Sequence, residues 1–212
     1  MSSNLKKQIQ GLYAITAEES DTFVLLRKVR LAFQGGARVL QYRNKAADVD
    51  LKLRQAQALR DLCSEFNVTY IVNDDALLAL QVNADGVHLG GEDGSVALAR
   101  SVLGETKIIG VSCYNDILLA LEAVRQGADY VAFGTFFLSN TKPGAKKAEI
   151  KLLSEARVQL DLPIVAIGGI TQNNGATLID AGANALAVIS ALWDAPNIQT
   201  SAQEFSTLFS RN

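Results

Sequence analysis

Three residues of the stretch QYRNK, Gln41, Arg43 and Lys45, alternate and so share one side of an extended segment. With Lys142 of LSNTK they give three fixed positive charges, more than a neutral substrate needs. Asn73 and Asp74, where TYIVN runs into DD, and Asp93 of HLGGED supply an amide and two carboxylates to oppose them. Two carboxylates beside several cations suit Mg²⁺ bridging a polyphosphate, because magnesium takes one or two protein carboxylates and fills its remaining positions with phosphate oxygens and water. A diphosphate held in this way is also a good leaving group, since the charge that develops on departure is already matched. A second set is largely backbone: Gly168-Gly169 and Ile189-Ser190 end two apolar runs in a manner suited to loop amides binding a phosphate. Two phosphate-handling places imply two substrates or one elongated one.

Each residue also has a structural reading. Asp74 or Asp75 can cap a following helix, as can Asp93 before Gly94. QYRNK can be a strand end with solvated charges, and the double glycine a tight turn. His88 lies inside an apolar run and reads as a hydrogen-bonded core residue, with nothing nearby resembling triad partners. Cys113 reads as small core filler, and Ser112 or Ser190 alone says little. Caps and turns do not explain why all these groups fall at the same end of successive strands.

Those strands are eight short runs, 11–16, 37–43, 69–74, 86–90, 107–112, 130–136, 163–169 and 185–190. They are apolar on both faces, as strands covered on both sides should be. The spacers carry helical periodicity: in 50–66, Leu51, Leu53, Ala56, Leu59, Leu62 and Phe66 fall largely on one face. The segment 115–128 ends at Gly127, a C-cap signal, and QGGARVL, RQGADYV and DAGANAL repeat one helix-to-strand phrase. Eight strand–helix alternations in 212 residues predict a (β/α)₈ TIM barrel, one α/β domain over residues 1–212. The alternative, an open doubly wound sheet, lacks its G-x-G-x-x-G after the first strand.

Composition sets the remaining bounds. A net charge of -2 with no Lys/Arg-rich run argues against nucleic acid as a partner. No apolar run approaches the roughly 18 residues that would span a bilayer. The start, MSSNLKKQIQ, has no apolar signal core, so a cytoplasmic location is expected and no membrane partner. Cys63 and Cys113 are isolated from each other and from the one histidine, implying neither zinc site nor disulfide framework. Small-molecule substrates are the expected partners, and a homo-oligomer is left open.

Taken in order over residues 11 to 192, QYRNK, IVNDD, DGVHLGGED, IIGVS, the Ser-x-Thr-Lys of LSNTK, IVAIGGI and VISA resemble the thiamin phosphate synthase family. The resemblance implies a (β/α)₈ enzyme that joins hydroxymethylpyrimidine diphosphate to thiazole phosphate and releases pyrophosphate with Mg²⁺. By position it implies that Gln41, Arg43, Lys45 and Asn73 hold the pyrimidine diphosphate, with Ser112 and Lys142 on its phosphates. It makes Asp74 and Asp93 the metal ligands, and it frames the thiazole phosphate with Ser139, Thr141, Gly169, Ile189 and Ser190. Arg43, Lys45, Ser112 and Lys142 would be the groups assisting departure, before the thiazole nitrogen captures a pyrimidine-methyl cation. The chain departs from the family pattern at Gly134-Thr135, Leu138-Ser139, Gly91 and Tyr114, so a differently shaped loop after strand 6 is expected. The competing readings are a thiazole tautomerase, whose proton shuttle is a histidine where this chain has Tyr114, and a non-catalytic barrel that binds phosphorylated metabolites.

Overall fold

The structure is a computed structural model that describes residues 8–91, 94–138 and 147–211. Its strands are β1 (Gly11–Ile15), β2 (Val39–Tyr42), β3 (Thr69–Asn73), β4 (Gly86–Leu89), β5 (Ile108–Tyr114), β6 (Tyr130–Phe133), β7 (Ile164–Ile167) and β8 (Ala185–Val188). All neighbours pair in parallel, and β8 pairs back onto β1, so the sheet closes as the eight-stranded barrel expected. Among the described residues the helices are α1 (Thr22–Gln34), α2 (Val49–Phe66), α3 (Ala76–Gln81), α4 (Val96–Leu103), α5 (Ile117–Arg125), α6 (Lys151–Gln159), α7 (Gly175–Asp180), α8 (Ser190–Trp193) and α9 (Ile198–Leu208). None of the described helices is long and apolar enough to cross a membrane.

Two apolar clusters explain why the strands lack alternation. One fills the barrel interior with Tyr13, Ile15, Val39, Ile71, Ile108, Tyr130, Val165 and Ala185, joined by Ile9 just ahead of β1. The other lies between sheet and helices and takes the opposite faces of the same strands together with Leu25, Val29, Leu59, Leu153, Leu178 and Phe205. Cys113 belongs to this outer layer and is fully buried, as core filler should be. Cys63 lies there too, and both thiols are free.

The helix-to-strand phrase has a recurring construction at the foot of the barrel. Ahead of β4, Asp85 Oδ2 accepts from the Tyr70 amide at 2.7 Å and from Arg60 Nη1 of α2 at 2.9 Å. Ahead of β6, Asp129 Oδ2 accepts from the Ile109 amide at 2.8 Å and from Arg100 Nη2 of α4 at 2.7 Å. Ahead of β8, Asn184 Oδ1 accepts from the Ile164 amide at 2.9 Å and from Arg157 Nη1 of α6 at 3.2 Å. Each side chain thereby ties the entry of its own strand to the preceding strand and to an arginine on the helix before that one. Gly127, which follows the α5 cap at Gln126, has φ +93°.

At the opposite end the strands stop earlier or later than their apolar runs. β6 ends at Phe133, and beyond it the Gly134 amide still donates to the Tyr114 carbonyl at 2.7 Å and the Phe136 amide to that of Ile167 at 3.3 Å. β7 ends at Ile167 because Gly168 and Gly169 take φ +101° and +62°, conformations open to glycine at no steric cost. β5 instead runs on to Tyr114, with a register shift between Ser112 and Tyr114 against β6.

Candidate active site

The C-terminal strand ends open on a cavity of about 880 Å³, and a cleft of about 660 Å³ adjoins it over β2 to β4. Gln41, Arg43, Asn73, Ser112, Gly169, Ile189 and Ser190 all line the cavity. Lys45 and Asp74 line the cleft, and Arg43 and Asn73 line both spaces. The structure thus gathers nine of the expected residues at one mouth. Asp93, Ser139, Thr141 and Lys142 lie outside the described residues.

Arg43 is placed through its backbone. The buried Thr16 hydroxyl donates to the Arg43 carbonyl at 2.9 Å and accepts from its amide at 2.8 Å, so the ends of β1 and β2 fix the arginine's root. Behind it, the buried Gln55 amide donates to the Glu19 carbonyl at 2.8 Å, and Asn44 Nδ2 donates to the same oxygen at 2.9 Å. Tyr42 Oη donates to Gln55 Oε1 at 2.9 Å. The β1–α1 loop is stapled to the end of β2 by these bonds, which leaves the Arg43 guanidinium beside Glu18, Nη1 to Oε1 3.8 Å.

The two adjacent aspartates separate by task. Asp75 caps α3, its carboxylate accepting from the Leu78 amide at 2.8 Å. Asp74 does not cap: it sits at φ +65°, its amide donates to the His88 carbonyl at 2.8 Å, and its Oδ2 lies 3.1 Å from Lys45 Nζ. The α4 cap is Ser95, whose Oγ accepts from the Leu98 amide at 3.1 Å, so that helix does not need Asp93 for the purpose.

The interior wall holds groups that the apolar pattern concealed. His88 is buried, as expected for a hydrogen-bonded residue within a strand, yet it also lines the cavity. Its Nδ1 lies 2.9 Å from Tyr130 Oη and its Nε2 2.9 Å from Ser112 Oγ. Tyr130 Oη is 2.8 Å from Tyr13 Oη, which accepts from Gln41 Nε2 at 2.9 Å. Burial pushes the phenols of Tyr13 and Tyr130 well above their ordinary range, so both stay protonated at neutral pH. Gly110 on β5 makes room for this arrangement, since a Cβ there would collide with the Tyr130 ring.

On the far side, Gly168 and Gly169 turn out of β7 beneath the loop after β6. A side chain at Gly169 would strike the carbonyls of Phe137 and Leu138. Asn174 Nδ2 donates to the Gly169 carbonyl at 3.1 Å, and its Oδ1 accepts from the Thr171 amide at 2.8 Å, holding the turn open toward the cavity. Ser190 opens α8 directly after β8. Two of the sequence departures touch each other: the Gly91 amide donates to Tyr114 Oη at 3.2 Å, and a Cβ at Gly91 would come within 3.1 Å of that hydroxyl. The small residue after β4 accommodates the large one at the end of β5.

Thr16, Tyr13, Tyr130, Asn44 and Gln55 were not anticipated as site residues. Thr16, a polar residue ending an apolar run, and Asn44, inside QYRNK, carry a signal. The tyrosines sit mid-strand, where an apolar pattern on both faces does not separate the barrel interior from the helix layer.

Comparison with known proteins agrees with this geometry. The family described as thiamine monophosphate synthase matches residues 12–192. A thiamine-phosphate synthase of Methylobacillus flagellatus is 54% identical over 201 residues, covering 95% of this chain and 96% of the relative. That of Thiobacillus denitrificans is 51% identical over 199 residues, covering 94% of each. Among solved structures, the thiamine phosphate pyrophosphorylase of Pyrococcus furiosus superposes with a TM-score of 0.87 at 32% identity, covering 98% of both chains. With its barrel closed and its mouth so furnished, the chain belongs to the thiamine monophosphate synthase family.

Proposed function

We propose that this barrel joins hydroxymethylpyrimidine diphosphate to thiazole phosphate, with pyrophosphate leaving before the new carbon–nitrogen bond forms. Family membership supports the coarser statement, a transferase of the thiamine-phosphate synthase type. The observation that carries the finer reading is the shared wall: Arg43 and Asn73 border both the cavity and the cleft, so a diphosphate and a second phosphorylated ring can lie side by side across them.

Gln41 and Asn73 would hold the pyrimidine ring, while Arg43 and Lys45, with Lys142, would take the charge that grows on the diphosphate as its bond to carbon breaks. The Ser112 hydroxyl would add a hydrogen bond to the same phosphates. Gly169, Ile189 and Ser190, with Ser139 and Thr141, would frame the thiazole phosphate at the other side of the mouth and aim the ring nitrogen at the cation. Among the described residues the cavity offers little for a covalent alternative. Cys113 faces away behind the sheet with its thiol pushed up to about 12 by burial, and both ring nitrogens of His88 are already engaged.

Mg²⁺ fits the donor chemistry of this lip. Among the described residues no cluster of three or more acidic, histidine or cysteine groups gathers for a metal, but magnesium beside a diphosphate asks for only one or two carboxylates. Asp74 supplies an oxygen at the cleft, next to Lys45, and Asp93 would be the second ligand. When bound, the ion would offset charge on the departing diphosphate.

The deciding experiment is pyrophosphate release with each substrate alone and with both, with and without a chelator. Release that needs both substrates and Mg²⁺ is expected. Conversion of one thiazole isomer alone would indicate a tautomerase, and binding with no release at all a non-catalytic barrel.

A further inference from the structure

Five side chains from five strands form one continuous hydrogen-bonded chain across the barrel interior: Gln41 on β2, Tyr13 on β1, Tyr130 on β6, His88 on β4 and Ser112 on β5. Its direction follows from requiring that each buried hydroxyl proton find an acceptor within the chain. Gln41 Nε2 carries only hydrogens, so it donates to Tyr13 Oη. Tyr13 then has one proton left to give, and its other partner is Tyr130. Tyr130, having accepted, gives its own proton to His88 Nδ1, so that nitrogen is an acceptor. The imidazole proton therefore resides on Nε2, pointing at Ser112 Oγ, 2.9 Å away. Having accepted there, Ser112 keeps its own proton for whatever enters the cavity.

We propose that this chain fixes His88 as the neutral Nε2–H tautomer and thereby presents the Ser112 hydroxyl to the cavity as a donor, selecting an anionic oxygen at that point. Tyr13, Tyr130 and His88 are then positioning residues, acting through Ser112 rather than on substrate. The selection of a phosphate oxygen rests on the reading that the pyrimidine diphosphate lies against Ser112; the tautomer does not. Gln41 has a double part, since the amide that sets the direction of the chain also lines the cavity. A ligand that turned this amide over would reverse every bond and make Ser112 an acceptor facing an anion, which weakens binding. Discrimination at the ring end is thereby linked to affinity at the phosphate end.

The chain contains one histidine, so a ¹⁵N-histidine-labelled sample gives a single imidazole whose couplings to the ring hydrogens identify which nitrogen is protonated. In the unliganded protein near pH 7.5 we expect Nε2–H and a bare Nδ1, unchanged when inorganic pyrophosphate is added. An Nδ1–H tautomer or an imidazolium in either sample overturns the proposal, whether or not the protein turns over any substrate. Tyr13→Phe cuts the chain between Gln41 and Tyr130. It should give an averaged tautomer signal and lower kcat/KM for the diphosphate substrate about tenfold, with the KM for thiazole phosphate unchanged. An unaltered tautomer and unaltered kcat/KM in that variant also overturn it. The wild-type spectrum decides the tautomer even if the variant fails to fold.

Discussion

Asp74 and Asp75 are neighbours with the same side chain, and the backbone gives them different work. Asp75 spends its carboxylate on the Leu78 amide, while φ +65° turns Asp74 toward Lys45. Asp75→Ala should therefore cost about 1 kcal/mol of stability, read by denaturant titration, with little change in the Mg²⁺ dependence of turnover. Asp74→Asn should do the reverse, leaving the unfolding midpoint nearly unmoved and removing most of the Mg²⁺-supported activity. If both variants lost stability alike, the division between cap and ligand would be wrong. Arg43→Ala should raise the KM for the pyrimidine diphosphate far more than that for thiazole phosphate. The guanidinium borders both spaces but is proposed to match charge only on the diphosphate side. Steady-state kinetics with each substrate varied in turn tests this, and equal effects would sink the two-pocket reading.

The strand entries at the foot of the barrel carry their own prediction. Asp129 joins β5, β6 and α4 through one carboxylate oxygen, with the arginine and aspartate side chains only 16% and 20% exposed. Asp129→Ala strands the Ile109 amide and takes the counter-charge from Arg100, which keeps only the carbonyls of Gly104, Lys107 and Gly127, and should cost about 2 kcal/mol, a fall of several degrees in Tm for a chain of this size. Asp129→Asn should cost less, because Asn184 fills the corresponding position ahead of β8 with an amide oxygen that accepts from the Ile164 amide and Arg157 in the same manner. Calorimetry of the two variants checks the order. These entries were legible as a repeated phrase, as were all eight strands, since burial on both faces gives long apolar runs. Strand ends were less legible. Whether an apolar run stops at Phe133 or Phe136, or continues to Tyr114, depends on backbone torsions and a register shift that residue type does not encode. The site divides in the same way. Polar groups released at strand tips, Gln41, Arg43, Asn73 and Asp74 among them, were visible, whereas Tyr13 and Tyr130 were hidden by being aromatic in an apolar run.

Over the whole molecule, burial acts in one direction on the groups that titrate in alkali. It raises the thiols of Cys63 and Cys113 and the phenols of Tyr13, Tyr42, Tyr70 and Tyr130 above their ordinary values. A group whose folded pKa lies above its unfolded one stabilises the fold fully below the unfolded value and loses that contribution as pH rises through the folded one. For Cys113 the interval runs from 9.0 to about 12. Thermal stability should therefore be insensitive to these groups near neutrality and fall progressively above about pH 9, and thiol reagents should label neither cysteine before unfolding. A native protein whose Tm held steady to pH 11 would contradict the burial of these groups. Ile9 has a different consequence: it packs into the interior cluster ahead of β1, and the two spaces among the described residues both open at the opposite end of the strands. If the proposed pyrimidine diphosphate fills the space beside Gln41 before its partner enters, thiamine phosphate should compete with it, and not with thiazole phosphate, in product-inhibition kinetics.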